Sequence, residues 1–304
     1  MIEPKTITTR RFIIFMAIAF GVALIPMCLA GIMLSKGNTI LFMFLFRIVA
    51  VMIPLIAVIV SGAGFKKLGF KPKKFKIIPL ALMGPQILCW IGMAIYFAIF
   101  PDMFRISYDG IVSQLPEELS KTFDPSVLRP EFLFVEMMVL SLTAVPISQL
   151  LPSLGEEAGW RGVMYPFLKE RLGVTPGRIV GGILWGIWHA PLTVEGHNFG
   201  KDYPGYPYVG ILLMILSCTA IGAFLMWLTR RTDSVYPAAI AHAVNNSGGG
   251  MLGMILLLNG IGDIETYRLG FAESIVLNIP LFITGIIALF LMLRKNKVPS
   301  ADSE

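Results

Sequence analysis

Long apolar segments recur along the chain, separated by shorter polar ones, and each is long enough, or nearly so, to cross a bilayer. A helix needs roughly 20 apolar residues to span the hydrocarbon core. A transmembrane β-barrel would instead show short segments in which apolar and polar residues alternate. The pattern therefore predicts an all-α, polytopic integral membrane bundle of about eight transmembrane helices, at residues 12–34, 40–60, 77–100, 132–154, 179–194, 208–228, 235–258 and 274–293.

The composition of the chain agrees with a membrane protein. Hydrophobic residues make up 56% of the 304 residues and charged residues 14%, whereas soluble domains are about half apolar and about a quarter charged. Because no repeat, low-complexity segment or linker stands out, we expect one transmembrane domain over residues 1–304. Within it, polar groups indicate a motif-bearing core at about 132–260, formed by the fourth to seventh helices, with peripheral helices at 12–100 and 274–293.

Lysine and arginine are unevenly divided between the two sides of the predicted membrane. If the N-terminus is cytoplasmic and the sides alternate, the inner segments hold 18 of the 25 basic residues and the outer loops hold 6. The positive-inside rule then places both termini of this multi-pass protein in the cytoplasm, and we expect the membrane to be the cell membrane of a prokaryote. Contact with anionic membrane lipids accounts for the net charge of +6, so no nucleic-acid partner is expected.

Polar and charged side chains lie in or beside the apolar segments of the second half of the chain. A charge at the bilayer centre costs at least about 2.5–3.5 kcal/mol on insertion scales, so such residues tend to face the bundle interior and to mark function. Residues four apart share one face of a helix. Three pairs have this spacing: Glu157 with Arg161, Trp185 with His189, and His242 with Asn246.

This set of side chains is typical of amide hydrolysis. A water must lose a proton, the leaving amine must gain one, and the oxyanion of the tetrahedral intermediate needs hydrogen-bond donors. Glu156 points about a quarter-turn away from Glu157, so one carboxylate can pair with Arg161 while the other does chemistry. The same residues also fit a zinc site, with ligands Glu156, His189 and His242. No HExxH or GxSxG occurs, which excludes zincin geometry and a nucleophile elbow.

Three motifs carry a resemblance to a known family. EEAGWR, which begins at Glu156, fits the pattern EExxxR; WGIWH, ending at His189, fits FxxxH with Trp185 in place of Phe; and HAVNN, starting at His242, fits HxxxN. Their order, spacing and helix placement resemble the CPBP family, which comprises CAAX proteases and bacteriocin-processing enzymes and is also called the Abi family. The resemblance covers roughly residues 146–250.

The resemblance implies a membrane-embedded endopeptidase, commonly described as a metalloprotease, that cuts a membrane-associated or lipidated peptide or protein. It further implies one role for each motif residue. Glu156 would activate water with His189, His242 and Asn246 would stabilise the oxyanion or contact a metal, and Glu157 and Arg161 would form a supporting ion pair. Trp185 would keep the aromatic wall that the family's Phe provides. Whether zinc or another divalent metal takes part is left open by these residues.

Two non-enzymatic hypotheses remain beside the protease. In a membrane scaffold or a bacteriocin-immunity protein, the same polar residues would join helices by hydrogen bonds without catalysing a reaction. A transporter could use intramembrane Glu and His as a proton relay, but it predicts internal repeats, which the sequence lacks. The protease predicts that Glu156, His189, His242 and Asn246 converge on one cavity, whereas histidines that face lipid would favour the scaffold.

Overall fold

A computed structural model describes residues 7–63, 75–103, 142–258 and 271–295, together with positions 132, 135 and 138–140. The first two helices are long and pass through short π- or 3₁₀-helical turns. From the N-terminus, the helices are α1 (Thr9–Ser35), α2 (Ile40–Ser61), α3 (Ile78–Ile99), α4 (Ala144–Gly159), α5 (Tyr165–Leu172), α6 (Val174–Trp188), α7 (Ala190–Val194), α8 (Tyr208–Thr232), α9 (Tyr236–Leu258) and α10 (Phe271–Lys295).

The predicted fold class is confirmed. Every regular element in these residues is helical, and five helices are long and apolar enough to cross a membrane: α1, α2, α3, α8 and the Ser274–Arg294 part of α10. The fourth predicted span, 132–154, is described from residue 142 onward and at five earlier positions, and its helix α4 begins at Ala144. The division into a core at 132–260 and peripheral helices stays a prediction.

Two helix boundaries around the motifs differ from the sequence prediction. The helix that carries the glutamates does not end at residue 154, because α4 continues through a π-helical turn, Trp160–Met164, directly into α5. The fifth predicted span, 179–194, is instead helix α6, which ends at Trp188, followed by the short helix α7. Pro191 explains the break, since proline has no amide hydrogen and its ring clashes with the carbonyl four residues earlier.

Glycines bring the motif-bearing helices close to their neighbours. A Cβ atom at Gly186 of α6 would overlap the backbone of Ile215 in α8, and one at Gly159 of α4 would overlap Pro54 in α2. Small residues at helix interfaces allow such close approach in membrane bundles. Helix α4 also packs along α9, so the ends of α4 and α6 and the first turns of α9 meet inside the bundle.

The outer surface of the bundle is apolar. In α1, for example, Ile13 is 61% exposed and Ile25 is 64% exposed, whereas Phe15 and Ala19 are fully buried. An exposed apolar surface of this kind fits contact with the hydrocarbon of a membrane. The polar side chains that the sequence singled out lie, with few exceptions, on the opposite, inner side of their helices.

Candidate active site

Helix geometry brings the polar side chains of three helices together. Glu156 and Glu157 occupy the last turn of α4, and Arg161 follows in the π-helical turn. Such single π turns frequently occur at functional sites. His189 ends α6, at the break that Pro191 imposes, and His242 lies in the second turn of α9.

Glu157 is the centre of a buried ionic network. Nη1 of Arg161 donates a hydrogen bond to Oε1 of Glu157 over 2.9 Å, and Nδ1 of His242 lies 2.9 Å from the same oxygen. The side chains of Glu157 and Arg161 are fully buried and that of His242 is nearly so. The guanidinium of Arg161 also stacks over the ring of Trp185, 4.5 Å from its centroid. Stacking on an aromatic face suits the planar arginine side chain.

Glu156, one residue earlier, has different partners. Its Oε2 accepts a hydrogen bond from the indole nitrogen of Trp185 over 2.8 Å and another from that of Trp160 over 3.2 Å. Both tryptophans and Glu156 are buried. Within the described part of the chain, no cationic side chain pairs with Glu156, so its two donors are both neutral.

The two histidine rings are held through the same atom. Nδ1 of His189 lies 2.9 Å from the carbonyl oxygen of Trp185. Since a carbonyl only accepts hydrogen bonds, Nδ1 must donate, and Nε2 is left as the acceptor in the neutral ring. Nδ1 of His242 likewise donates to the carboxylate of Glu157. The Trp185 ring contacts both imidazoles, with centroids 6.1 Å from His189 and 5.2 Å from His242.

Asn246 lies apart from this connected set. It follows His242 by one turn of α9, is exposed, and makes no hydrogen bond to the described residues. The structure thus brings together Glu156, His189 and His242 around Trp185, with Glu157 and Arg161 beside them, whereas the Asn246 side chain is exposed.

Two residues of the site did not stand out in the sequence. Trp160 donates to Glu156 from four positions along the same helix, so the i, i+4 rule that pairs Glu157 with Arg161 also indicates this contact. Cys218 of α8 has its Sγ 3.9 Å from Nδ1 of His189. No motif or spacing in the sequence indicated that α8 would reach the site.

A zinc site at Glu156, His189 and His242 stays a prediction. Among the described residues, no three His, Cys, Asp or Glu side chains lie close enough to hold a metal ion. Oε2 of Glu156 is engaged by two indoles, and Nδ1 of each histidine is engaged by a backbone carbonyl or a carboxylate. Nε2 of both rings and Oε1 of Glu156 are therefore the atoms that could contact a metal ion.

Comparison with known proteins agrees with the motifs. Residues 138–248 match the family model described as type II CAAX prenyl endopeptidase, Rce1-like. A curated relative, CAAX prenyl protease 2 of Methanococcus maripaludis, is 29% identical over 98 residues, which cover 32% of this chain and 36% of the relative. The chain thus spans about a third of the length of that relative. The part of the chain that carries the three motifs is therefore similar to the type II CAAX prenyl endopeptidases.

Proposed function

We propose that the protein is an intramembrane endopeptidase that hydrolyses a peptide bond of a membrane-associated or lipidated peptide or protein. One observation carries the proposal: a carboxylate and two imidazoles surround Trp185 inside the bundle, and all of them lie in the segment that matches the CAAX protease family. The named activity of the relative from Methanococcus maripaludis supports the same class of reaction.

Glu156 is the general base in this proposal. A carboxylate held only by neutral N–H groups keeps its negative charge uncompensated, so it can accept a proton from water. Nε2 of His189 is free to accept a hydrogen bond and orients that water. As the water oxygen attacks the scissile carbonyl carbon, its proton moves to Glu156, which then gives the proton to the departing amine.

His242 and Asn246 stabilise the oxyanion of the tetrahedral intermediate. Glu157 accepts a hydrogen bond from Nδ1 of His242 and so fixes the ring, and Nε2 of that ring can donate to the oxyanion when it carries a proton. Asn246 offers a second donor from one turn further along α9. Arg161 binds the same carboxylate oxygen and keeps Glu157 in place for His242.

Zinc is the alternative that the sequence left open, and chelation distinguishes the two mechanisms. If water is activated by Glu156 alone, the purified enzyme keeps its activity after dialysis against a membrane-permeant chelator and contains no stoichiometric metal by elemental analysis. Loss of activity on chelation, with recovery on adding zinc, would show that Glu156, His189 and His242 rearrange to bind a metal.

The protein lies in the cell membrane of a prokaryote with both termini in the cytoplasm. The support is the excess of lysine and arginine in the predicted inner segments. Single cysteines introduced into residues 66–76 or at Arg294 should react with an impermeant maleimide only after the cells are permeabilised. Labelling of either segment in intact cells would reverse the orientation.

Peptidase activity is tested with the purified protein in liposomes and a quenched fluorescent peptide ending in a farnesylated CAAX sequence. The wild type should release the terminal residues, and Glu156→Gln should lower kcat on the order of 10²-fold or more. The same peptide without the lipid tests whether the substrate must be prenylated. Equal activity of Glu156→Gln and the wild type would refute the role of Glu156, and no cleavage of either peptide would favour the non-catalytic scaffold or immunity protein.

A further inference from the structure

Two tryptophans from different elements donate to one oxygen of Glu156. The indole N–H of Trp185 comes from α6, and that of Trp160 comes from the π-helical turn after α4. At 2.8 and 3.2 Å, both lie within the normal range for an N–H···O hydrogen bond. The carboxylate is therefore fixed from two directions.

Neither indole is free to turn. Trp160 is fully buried, and the edges or faces of Phe15, Phe20 and Trp188 contact its ring, with centroids 5.6–6.3 Å away. One face of Trp185 is covered by the guanidinium of Arg161. Because the rings are packed on several sides, the two N–H groups are aimed at Glu156 before any substrate binds.

This arrangement makes the two carboxylate oxygens unequal. Oε2 accepts two hydrogen bonds, which is the capacity of its two lone pairs, while no described side chain bonds to Oε1. An indole N–H can donate but cannot accept a proton. The tryptophans therefore cannot replace the base, and they can only orient it.

We infer that Trp185 and Trp160 are positioning residues, which hold Oε2 of Glu156 and so turn Oε1 towards the reacting water. This inference rests on the proposed function. It also gives a reason for the departure from the second motif, since Trp185 adds a hydrogen-bond donor at the position where the family pattern has Phe. The substitution then tightens the orientation of the base and does not merely preserve an aromatic wall.

Kinetics of three matched variants test the inference. Trp185→Phe and Trp160→Phe each remove one donor, whereas Trp227→Phe serves as the control, because its ring stacks on Phe224 in α8 and is none of the rings that hold Trp160. Hydrogen bonds to charged groups are strong enough to predict a fall in kcat of about 10-fold for Trp185→Phe with KM unchanged. The Trp227→Phe variant should lose less than about 3-fold. Equal losses in kcat for Trp185→Phe and Trp227→Phe would overturn the inference.

An isosteric replacement separates the hydrogen bond from packing. Benzothienylalanine, introduced by stop-codon suppression, has the shape of tryptophan but a sulfur atom in place of the N–H. At position 185 it should lower kcat as far as Trp185→Phe does. Wild-type kcat with this residue would show that only the ring matters, and the positioning role would be wrong.

A spectroscopic readout does not depend on catalysis. In protein labelled with ¹⁵N-tryptophan, Glu156→Gln should move the indole resonances of Trp160 and Trp185 and leave that of Trp188 in place. If neither resonance moves, the two hydrogen bonds do not exist and the inference fails. If both move while no peptide is cleaved, the carboxylate is held as described and the proposed peptidase function is what fails.

Discussion

Glu156 and Glu157 are adjacent in the sequence, yet the two regions of the bundle into which they point differ in charge. The Glu156 side is lined by aromatic rings, and two neutral indoles are the donors that the described residues offer to its carboxylate. The Glu157 side contains Arg161 and His242, which meet at one carboxylate oxygen. One turn of helix thus presents a carboxylate without a counter-charge next to a carboxylate in an ionic network.

The difference indicates that the two carboxylates have different roles. Glu157 is committed to Arg161 and His242 through its Oε1, so it supports these two side chains. A carboxylate with neutral donors keeps its orientation and remains able to accept a proton. The ion pair beside the base fixes His242 and Arg161 without neutralising Glu156. The supporting carboxylate, Glu157, and the proposed base, Glu156, are thus about a quarter-turn apart on one helix.

The largest effect on stability should come from breaking the ionic side. Glu157→Gln leaves Arg161 buried without its counter-charge, and removing one partner of a buried ion pair typically costs about 3–5 kcal/mol. Glu156→Gln removes no ion pair and should cost about 1 kcal/mol or less. Unfolding of both variants in detergent, followed by helix content, measures the difference.

A double variant sharpens this result. Glu157→Gln combined with Arg161→Met removes both charges, and it should recover part of the stability lost in Glu157→Gln alone. If Glu156→Gln and Glu157→Gln proved equally stable, the two sides of the helix would not differ as described.

The next largest effect should be a fall in kcat when Asn246, one turn after His242 on α9, is replaced. Asn246→Ala should lower kcat by roughly 10²–10³-fold, the usual cost of removing one oxyanion donor. Stability should hardly change, because the Asn246 side chain is exposed. The peptide cleavage assay measures kcat, and Asn245→Ala, at the neighbouring position of α9, is the matched control. Equal rates for the two variants would mean that His242 acts without Asn246.

Much of this site follows from spacing along single helices. The i, i+4 rule predicts the contact between Glu157 and Arg161 and would have predicted that between Glu156 and Trp160, because both depend only on helix geometry. The contact of Trp185 with Glu156 joins residues 29 positions apart. It depends on how α6 packs against α4, which no local pattern encodes.

The boundaries of the helices also show what local sequence patterns can and cannot predict. Hydropathy predicted the apolar segments well, since it reports which residues fit a bilayer. It left open whether α4 extends past residue 154 into the glutamates, because the charged motif interrupts the apolar pattern while the backbone stays helical, and it gave no signal for the π-helical turn. Pro191 did hold the information that α6 ends early, and local proline chemistry would have corrected the predicted span.

The smallest expected effect compares two buried arginines. Arg161 has a carboxylate partner, whereas Arg178, in the second turn of α6, is 3% exposed, and its three guanidinium nitrogens find no hydrogen-bond partner among the described residues. Lys169 and Arg230 are close enough to interact electrostatically with Arg178, and both are cationic.

Arg178→Met should therefore stabilise the protein by about 1 kcal/mol, because it removes an unpaired buried charge and keeps an unbranched apolar side chain of similar length. Arg161→Met should destabilise it, since Glu157 then loses its cation. Unfolding of both variants in one neutral detergent measures the two changes, and Arg10→Met, at an exposed position of α1, provides the control for the loss of one positive charge. A loss of stability in Arg178→Met would contradict this prediction. It would show that the guanidinium of Arg178 stabilises the fold, as that of Arg161 does, although it is buried without a described partner.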